Sequence, residues 1–414
     1  MRFYYFLLVI VILPLYTSGF IAAKSRNVCS LCEYKTIKAA IKHADSGDEI
    51  ILHNEVFTEN NIVIKKSLTL RGEKGAVIDA NNKGTILLIK ADNVKIENLI
   101  FRNVGYSNIK DYVAILVYKS NNFTIKNNYF EKVLSGIKVE KSKYGFIESN
   151  QIFSGDQEQH AIGSGINAWD CAYLIIKNNN IYGMRDGIYF EFVKDSLIEN
   201  NNAYNNYRYG LHFMFSNNNA YIKNKFYKNG AGVAVMFSKF ITMENNVFSE
   251  NWGTASYGLL LKEIYDAEII NNAFLENTIA IHVEGSTRVN YIDNYFKSNG
   301  WAIKVAGACY KNIIKKNNFS GNAFDLSYHS NINDNEFDNN YWSDYTGYDL
   351  NKDGVGDVPY RPVKLFSYLV SKNPEAIILL RSLFVDIVNF SEKVSPIFTP
   401  DNIIDKNPAM REHE

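Results

Sequence analysis

The chain has 414 residues, with 44 Lys and Arg against 44 Asp and Glu, so its formal charge at pH 7 is zero. That balance argues against a polyanion such as nucleic acid as a partner. Asn and Tyr are abundant, Pro is scarce, and one repeating pattern uses most of the length, which leaves one elongated body with two caps.

Residues 1–23 read as a secretory signal peptide. Arg2 gives a positive start, the stretch from Phe3 to Leu15 is almost wholly apolar, and small residues follow at Ser18, Gly19, Ala22 and Ala23. The apolar run falls short of the roughly 20 residues that span a bilayer, which favours cleavage after Gly19 or Ala23 over a membrane anchor. Asn27 and Val28 stand where a lipoprotein box would precede Cys29, so the expected product is an exported chain.

Residues 24–48 hold Cys29-x-x-Cys32 and a predicted cap helix. Two readings of the cysteines are open: a local disulfide in an oxidising compartment, or a soft-metal or redox pair. Cys171 and Cys309 lie several coils apart and read as packed thiols. From Tyr34, the residues Ile37, Ala40, Ile41 and Ala44 fall at helical spacing, and Gly47 is placed to end the helix. Such a helix would shield the open strand edges of whatever follows.

Residues 49–340 carry the repeat. Asparagines sit two positions before an apolar residue at Asn128, Asn150, Asn179, Asn201, Asn224, Asn246, Asn272, Asn294, Asn317 and Asn335, mostly 22 or 23 residues apart. Each unit contains two or three short β-branched or aromatic runs broken by Asn and Gly, beginning at Glu49 and continuing through Ile62, Leu68 and Val77. One such unit cannot bury its apolar face alone. Stacked units pair backbone to backbone at about 4.8 Å and share a core, with Asn side chains hydrogen-bonding to their copies above and below. Helical solenoids need periods above about 30 residues. The predicted fold is therefore all-β, a right-handed parallel β-helix with coils of about 22 residues, an N-terminal cap helix and a C-terminal helical segment.

The second strand of each coil follows Gly-apolar-x-apolar-x. Alternation sends Leu211, Phe213, Phe215, Val233, Val235, Phe237, Leu259, Leu261, Ile281 and Val283 inward. One outward column then reads Trp169, Glu191, Met214, Met236, Lys262, Glu284, and its neighbour Asn167, Tyr189, His212, Ala234, Leu260, His282. Two methionines on a polar column are more than the pattern requires. Met214 and Met236, with His212 one pleat away, form a soft donor set suited to Cu(I). The competing reading is a contact surface, since Met is also the adaptable residue of docking faces.

The runs Arg185-Asp186-Gly187-Ile188-Tyr189-Phe190-Glu191-Phe192, Arg208-Tyr209-Gly210-Leu211-His212-Phe213-Met214-Phe215-Ser216 and Gly232-Val233-Ala234-Val235-Met236-Phe237-Ser238-Lys239 resemble the signature coils of the NosD family of nitrous oxide reductase maturation proteins. So do residues 253–262, 340–347 and 359–362. The resemblance implies a periplasmic β-helix that works with an ABC transporter, whose ATPase and membrane subunits are NosF and NosY, and with the copper chaperone NosL. Together these build the copper–sulfide centre of the nitrous oxide reductase apo-protein. On that reading His212, Met214 and Met236 are candidates for transient Cu(I) handling; Cys29 and Cys32 are a separate candidate copper pair on their own spacing and thiolate chemistry.

Residues 341–362 include Asp349, Asn351, Asp353 and Asp357 at alternate spacing around Gly354, the pattern of a Ca²⁺ loop, although Tyr360 stands where an EF-hand has its Glu. A hydrogen-bonded turn is the alternative. Residues 363–414 are expected to form one helix from an Asn373 N-cap and Pro374 to about Lys393, followed by an extended tail. The helix is apolar on more than one stripe. Leu380, Leu383, Phe384 and Ile387 therefore read as docking residues for NosY or the bilayer surface, with a simple lid as the alternative.

Two other function classes compete with the assembly role. A carbohydrate-active lyase, hydrolase or epimerase would need clustered Asp with a neighbouring Arg or His on one face, and the aligned columns contain no such cluster. A passive structural solenoid would need neither outward methionines nor an apolar terminal helix.

Overall fold

The computed structural model describes residues 23–155, 159–253, 255–328, 334–380, 382–394 and 403–414. The predicted signal peptide lies, but for Ala23, outside them. Among the described residues the chain winds right-handedly through three parallel sheets of 14, 13 and 12 strands, here called A, B and C in the order each coil visits them. About 13 turns stacked at strand spacing make a rod roughly 60 Å long.

Strands are short because each sheet turns a corner after three to six residues, and the corners explain the asparagines. At the A-to-B corner a residue in the left-handed region, such as Asn127 (φ 55°), Asn200 (φ 52°) or Asn271 (φ 51°), is followed by a buried Asn. The backbone N–H of Asn128 donates to Asn150 Oδ1 at 3.0 Å, and its Nδ2 donates to the same oxygen at 3.1 Å. The pattern repeats through Asn179, Asn201, Asn224, Asn246, Asn272, Asn294 and Asn317. The next member is Asn340, not Asn335. Asn335 instead accepts from Asn312 at another corner. A second ladder at the B-to-C corner, Asn206, Asn229, Asn251, Asn277, Asn299 and Asn322, has the same construction. Between the corners the core is aromatic on the sheet B side. Phe226, Phe248, Phe274, Phe296, Phe319 and Trp342 stack at centroid separations of 4.2 to 5.6 Å.

The N-terminal end differs from expectation in two respects. Sheet A begins before the cap helix, with Ser25–Val28 pairing in parallel with Glu49–Leu52. The helix α1 (Ile37–His43) ends at an Ala44 C-cap, so Gly47, at φ 95°, serves the following turn instead. Thr36 Oγ1 accepts from Ala39 N, and Glu59 from the next coil accepts from Ile37 N and Lys38 N, which satisfies the first-turn donors.

The C-terminal segment is not one helix. α2 (Leu365–Lys372) comes first, a 3₁₀ turn spans Pro374–Leu379, and α3 (Leu383–Val394) follows. Asn373 closes α2 as its C-cap, donating its N–H to Leu369 O, and is also the N-cap residue of the 3₁₀ turn, where its side chain makes no capping hydrogen bond. The tail is not free either. Asp405 and Tyr360 exchange backbone hydrogen bonds at 2.8 and 2.9 Å, and Ala409 N donates to Asn340 O. Asp405 Oδ2 accepts from Asn340 N, Asn340 Nδ2 and Trp342 Nε1, each at 3.0 Å, and so terminates the first asparagine ladder.

Candidate functional site

Sheet C carries the outward columns. Its strands Ser164–Trp169, Asp186–Glu191, Tyr209–Met214, Ala231–Met236, Leu259–Lys262 and Ile279–Glu284 pair in the expected register. Met214 lies opposite Met236, with Glu191 on one side of the pair and Lys262, ion-paired to Glu284 at 3.3 Å, on the other. Glycine opens these strands because the coils approach closely there. A Cβ at Gly210 would lie 2.8 Å from Gly232 O, and one at Gly232 2.3 Å from Gly258 O.

The repeated Met-Phe-Ser triplet has a mechanical explanation that corrects one expectation. Met214 and Met236 are the last strand residues and are half-buried. Phe215 (φ 50°) and Phe237 (φ 53°) occupy left-handed corners, where alternation no longer holds, and they point outward with 40% and 41% exposure. With Phe192 they form an exposed stack at 5.3 and 5.2 Å. Ser216 and Ser238 are buried beneath the corners. Ser216 N donates to Ser238 Oγ, and each hydroxyl donates to the carbonyl of its own methionine. The outer face is thus a thioether pair bordered by a phenylalanine ladder.

His212 occupies the expected column but is only 6% exposed, flanked by Tyr189 at 5.0 Å and Tyr209 at 4.9 Å. Neither ring nitrogen has a hydrogen-bond partner among the described residues. Burial pushes its pKa down to about 4, Arg208 and Arg185 add to the depression, and Asp186 opposes it, so the ring is neutral at pH 7. The structure therefore brings Met214 and Met236 together and sets His212 beneath tyrosines, one pleat along, as a neutral imidazole. It also places beside His212 an acid and a base that column reading missed. Asp186 is fully buried and gripped by both Arg208 Nε, at 2.8 Å, and Arg208 Nη2. Asp186 and Arg208 are adjacent only across coils, at and just before the first strand position, rather than in the two columns aligned.

Cys29 and Cys32 form a disulfide at the N-terminal end, well away from the methionines in sequence and fold, and so present no thiolate in this state. Cys171 and Cys309 are buried free thiols, and burial pushes Cys171 up to about 11. In the Asp-rich loop the oxygens are taken up by the turn itself. Asp349 accepts from Lys352 N, Asp353 N and Gly354 N, Asp353 accepts from Val355 N, and Asp357 accepts from Leu350 N. Asp349, Asp353 and Asp357 are not among the groups of three His, Cys, Asp or Glu side chains whose ligand atoms converge within 4.8 Å among the described residues. The loop has the geometry of a hydrogen-bonded turn.

At the C-terminal end, Leu380 packs against the cluster of Trp301, Phe324, Phe366, Val370, Val385 and Val388. Leu383, Phe384 and Ile387 face outward, as do Ile377, Ile378 and Phe390, which sequence reading did not select as docking residues. No helix among the described residues is long and apolar enough to cross a membrane.

Comparison with known proteins bears on this face directly. A family model described as periplasmic copper-binding protein (NosD) matches residues 148–347, the coils that carry His212, Met214 and Met236, and a right-handed β-helix model matches residues 74–162. Proteins named probable ABC transporter binding protein NosD, from Pseudomonas aeruginosa and Stutzerimonas stutzeri, are each 26% identical to it. They align over 85% of this chain and over 86% and 85% of their own lengths. The A-module of the mannuronan C-5 epimerase AlgE6 of Azotobacter vinelandii superposes with a TM-score of 0.62 at 14% identity, covering 72% of this chain and 93% of that one, which establishes the fold alone. The family match that includes the methionine-bearing coils, with two relatives aligned along most of the rod, supports assignment of this chain to the NosD family.

Proposed function

We propose that this chain is a periplasmic accessory of an ABC transporter that supports assembly of the copper–sulfide centre of nitrous oxide reductase, with copper as transient cargo. The observation that carries the reading is the in-register pair Met214 and Met236 on the outer face of sheet C, inside the segment matching a copper-binding family. Thioethers are neutral, soft donors that favour Cu(I) and release it readily, which suits a handover better than storage. His212, held neutral, is a third donor in the correct protonation state, reached if the tyrosines above it part. The exposed Phe192, Phe215 and Phe237 stack fits contact with a chaperone such as NosL or with the reductase apo-protein, at the place where the metal would change hands.

The apolar outer side of the C-terminal helices supports docking to the membrane subunit NosY, with NosF below it, which would hold an exported chain at the membrane. We assign no catalytic role. A polysaccharide epimerase or lyase on this face would draw on clustered Asp with a neighbouring Arg or His, and the Asp beside His212, Asp186, is buried and ion-paired to Arg208.

The test is complementation in a strain lacking the gene. Wild type should restore the copper content and visible spectrum of the reductase. The Met214→Leu, Met236→Leu double variant should lower copper content several-fold at equal protein level. Normal loading without the gene would end the proposal, and so would turnover of uronate polymers by the purified chain.

A further inference from the structure

The N-terminal end of sheet A carries a second donor set that the methionine face does not use. Register produces it. Val28 pairs with Leu52 and Leu52 with Gly72, so the next residues, Cys29, His53 and Glu73, stand side by side on three consecutive strands. The backbone locks that order, with His53 N donating to Val28 O and Glu73 N to Leu52 O. Cys32 is folded back onto the column by a turn in which its N–H donates to Cys29 O. Glu55 holds the loop, accepting from Ser30 N at 2.9 Å and from Ser30 Oγ at 2.8 Å.

The consequence is a cluster in which one ligand atom each from Cys29, Cys32 and His53 lies within 4.8 Å of the others, all three residues half-buried. Two donors bonded to one ion at about 2.0 to 2.3 Å stand no more than about 4.6 Å apart, so once reduction lets the two sulfurs part, all three groups are near enough to share one ion after a small adjustment. His53 Nδ1 lies 3.0 Å from Glu73 Oε2, the arrangement that orients a ligating histidine and leaves its other nitrogen for a metal.

We propose that the Cys29–Cys32 disulfide is the closed state of a redox-gated site, and that its reduction opens a thiolate–thiolate–imidazole site for one Cu(I) built from Cys29, Cys32 and His53. The choice of Cu(I) rests on the copper role proposed above; the donor set stands without it. The gate is opened by a dithiol reductant. One of its thiolates attacks a disulfide sulfur, the Cys29–Cys32 bond breaks, and its second thiolate resolves the mixed disulfide. The reductant leaves as a disulfide, having delivered two electrons and two protons. Binding of Cu(I) then releases the two thiol protons to solvent while the metal keeps its oxidation state. A disulfide oxidant reverses the exchange and expels the ion, so this end holds metal only when reduced.

The test uses the full mature chain under anaerobic conditions, titrated with Cu(I) against a competing chelator in oxidised and dithiol-reduced preparations. Reduced protein should bind one more Cu(I) than oxidised protein and show a near-ultraviolet thiolate-to-copper charge-transfer band. The Cys29→Ser, Cys32→Ser variant should lose that difference. His53→Gln should weaken the reduction-dependent site at least 10-fold, and Glu73→Gln should weaken it by about 10- to 100-fold, as second-sphere partners do. Met214→Leu with Met236→Leu should leave the difference intact while removing copper that binds regardless of redox state, so the two copper proposals fail separately. Equal Cu(I) stoichiometry in the two wild-type preparations, with unchanged circular dichroism, would overturn the proposal without any variant. A reduction-dependent ion that survives the double Cys substitution would overturn it as well.

Discussion

The two ends of the rod solve the same problem differently. Each must cover strand edges that would otherwise pair with another chain. The N-terminal end uses α1, a single short helix whose apolar residues Ile37, Ala40 and Ile41 are all turned onto the first coils. The C-terminal end uses more material. α2 and α3 press Phe366, Val370, Val385 and Val388 onto Trp301 and Phe324, while the tail feeds Asp405 into the asparagine ladder. Yet Ile378, Leu383, Ile387 and Phe390 remain 57% to 88% exposed there. Capping alone therefore does not require exposed apolar residues, since the other end manages without them on its helix. The exposed surplus at the C-terminal end is what the proposed docking role would use.

If closure at the C-terminal end depends on the ladder's terminator, Asp405→Ala should be the most damaging point substitution there. It strands three buried donors, Asn340 N, Asn340 Nδ2 and Trp342 Nε1, at about 1 to 3 kcal/mol each. A loss of about 4 kcal/mol in chemical denaturation is expected, with Asp405→Asn retaining part of it. A loss under about 1 kcal/mol would mean that the tail is not part of the cap. The N-terminal counterpart is Ile37→Ala, which removes a fully buried side chain and should cost about 3 kcal/mol. An unchanged denaturation midpoint would show that α1 is dispensable as a cap.

Acidity distinguishes the middle of the rod from its C-terminal end. His212 titrates at about 4 when folded, below its unfolded value near 6.5, so its folded form binds fewer protons and stability falls as pH drops through that window. The full effect approaches about 3 kcal/mol, and His212→Phe should remove it from the difference between pH 7 and pH 4. Asp325, buried near the last coil, is raised to about 6 by desolvation, so its contribution has the opposite sign. Stability is fully present below the unfolded value and is lost as pH rises through about 6. Asp325→Asn should therefore gain up to about 3 kcal/mol at pH 7 relative to wild type, and a loss there would show that the carboxylate is needed charged.

The solenoid was legible because its cause is periodic. A spacing of 22 or 23 residues between buried asparagines has no cheaper explanation than stacked corners, and the columns through Met214 and Met236 followed from it. What was not legible shares one character: it depends on atoms outside the period. Phe215 and Phe237 were misread because the alternation rule was carried one residue beyond the strand, where a positive φ turns the side chain outward. Asn335 and Asn340 both precede an aromatic by two, and only the 23-residue step from Asn317 singles out Asn340 as the ladder member. The covering of His212 by Tyr189 and Tyr209 cannot be deduced from its column, which says only that it faces out. Asp405 completes a ladder 65 residues away, a contact no local pattern announces.

The comparison of the ends can also be broken without touching stability. Leu383→Asp with Ile387→Asp replaces two outward residues that contribute little to the folded chain, so denaturation should shift by no more than about 0.5 kcal/mol per site. If the apolar surplus is a docking surface for the transporter's membrane subunit, the double variant should fail to co-purify with that subunit from detergent-solubilised membranes. Ile37→Ala, though less stable, should still be retained. The reverse pattern, or retention of both variants at the wild-type yield, would assign the exposed helices to a lid after all and leave attachment to the methionine face or the rod's flanks.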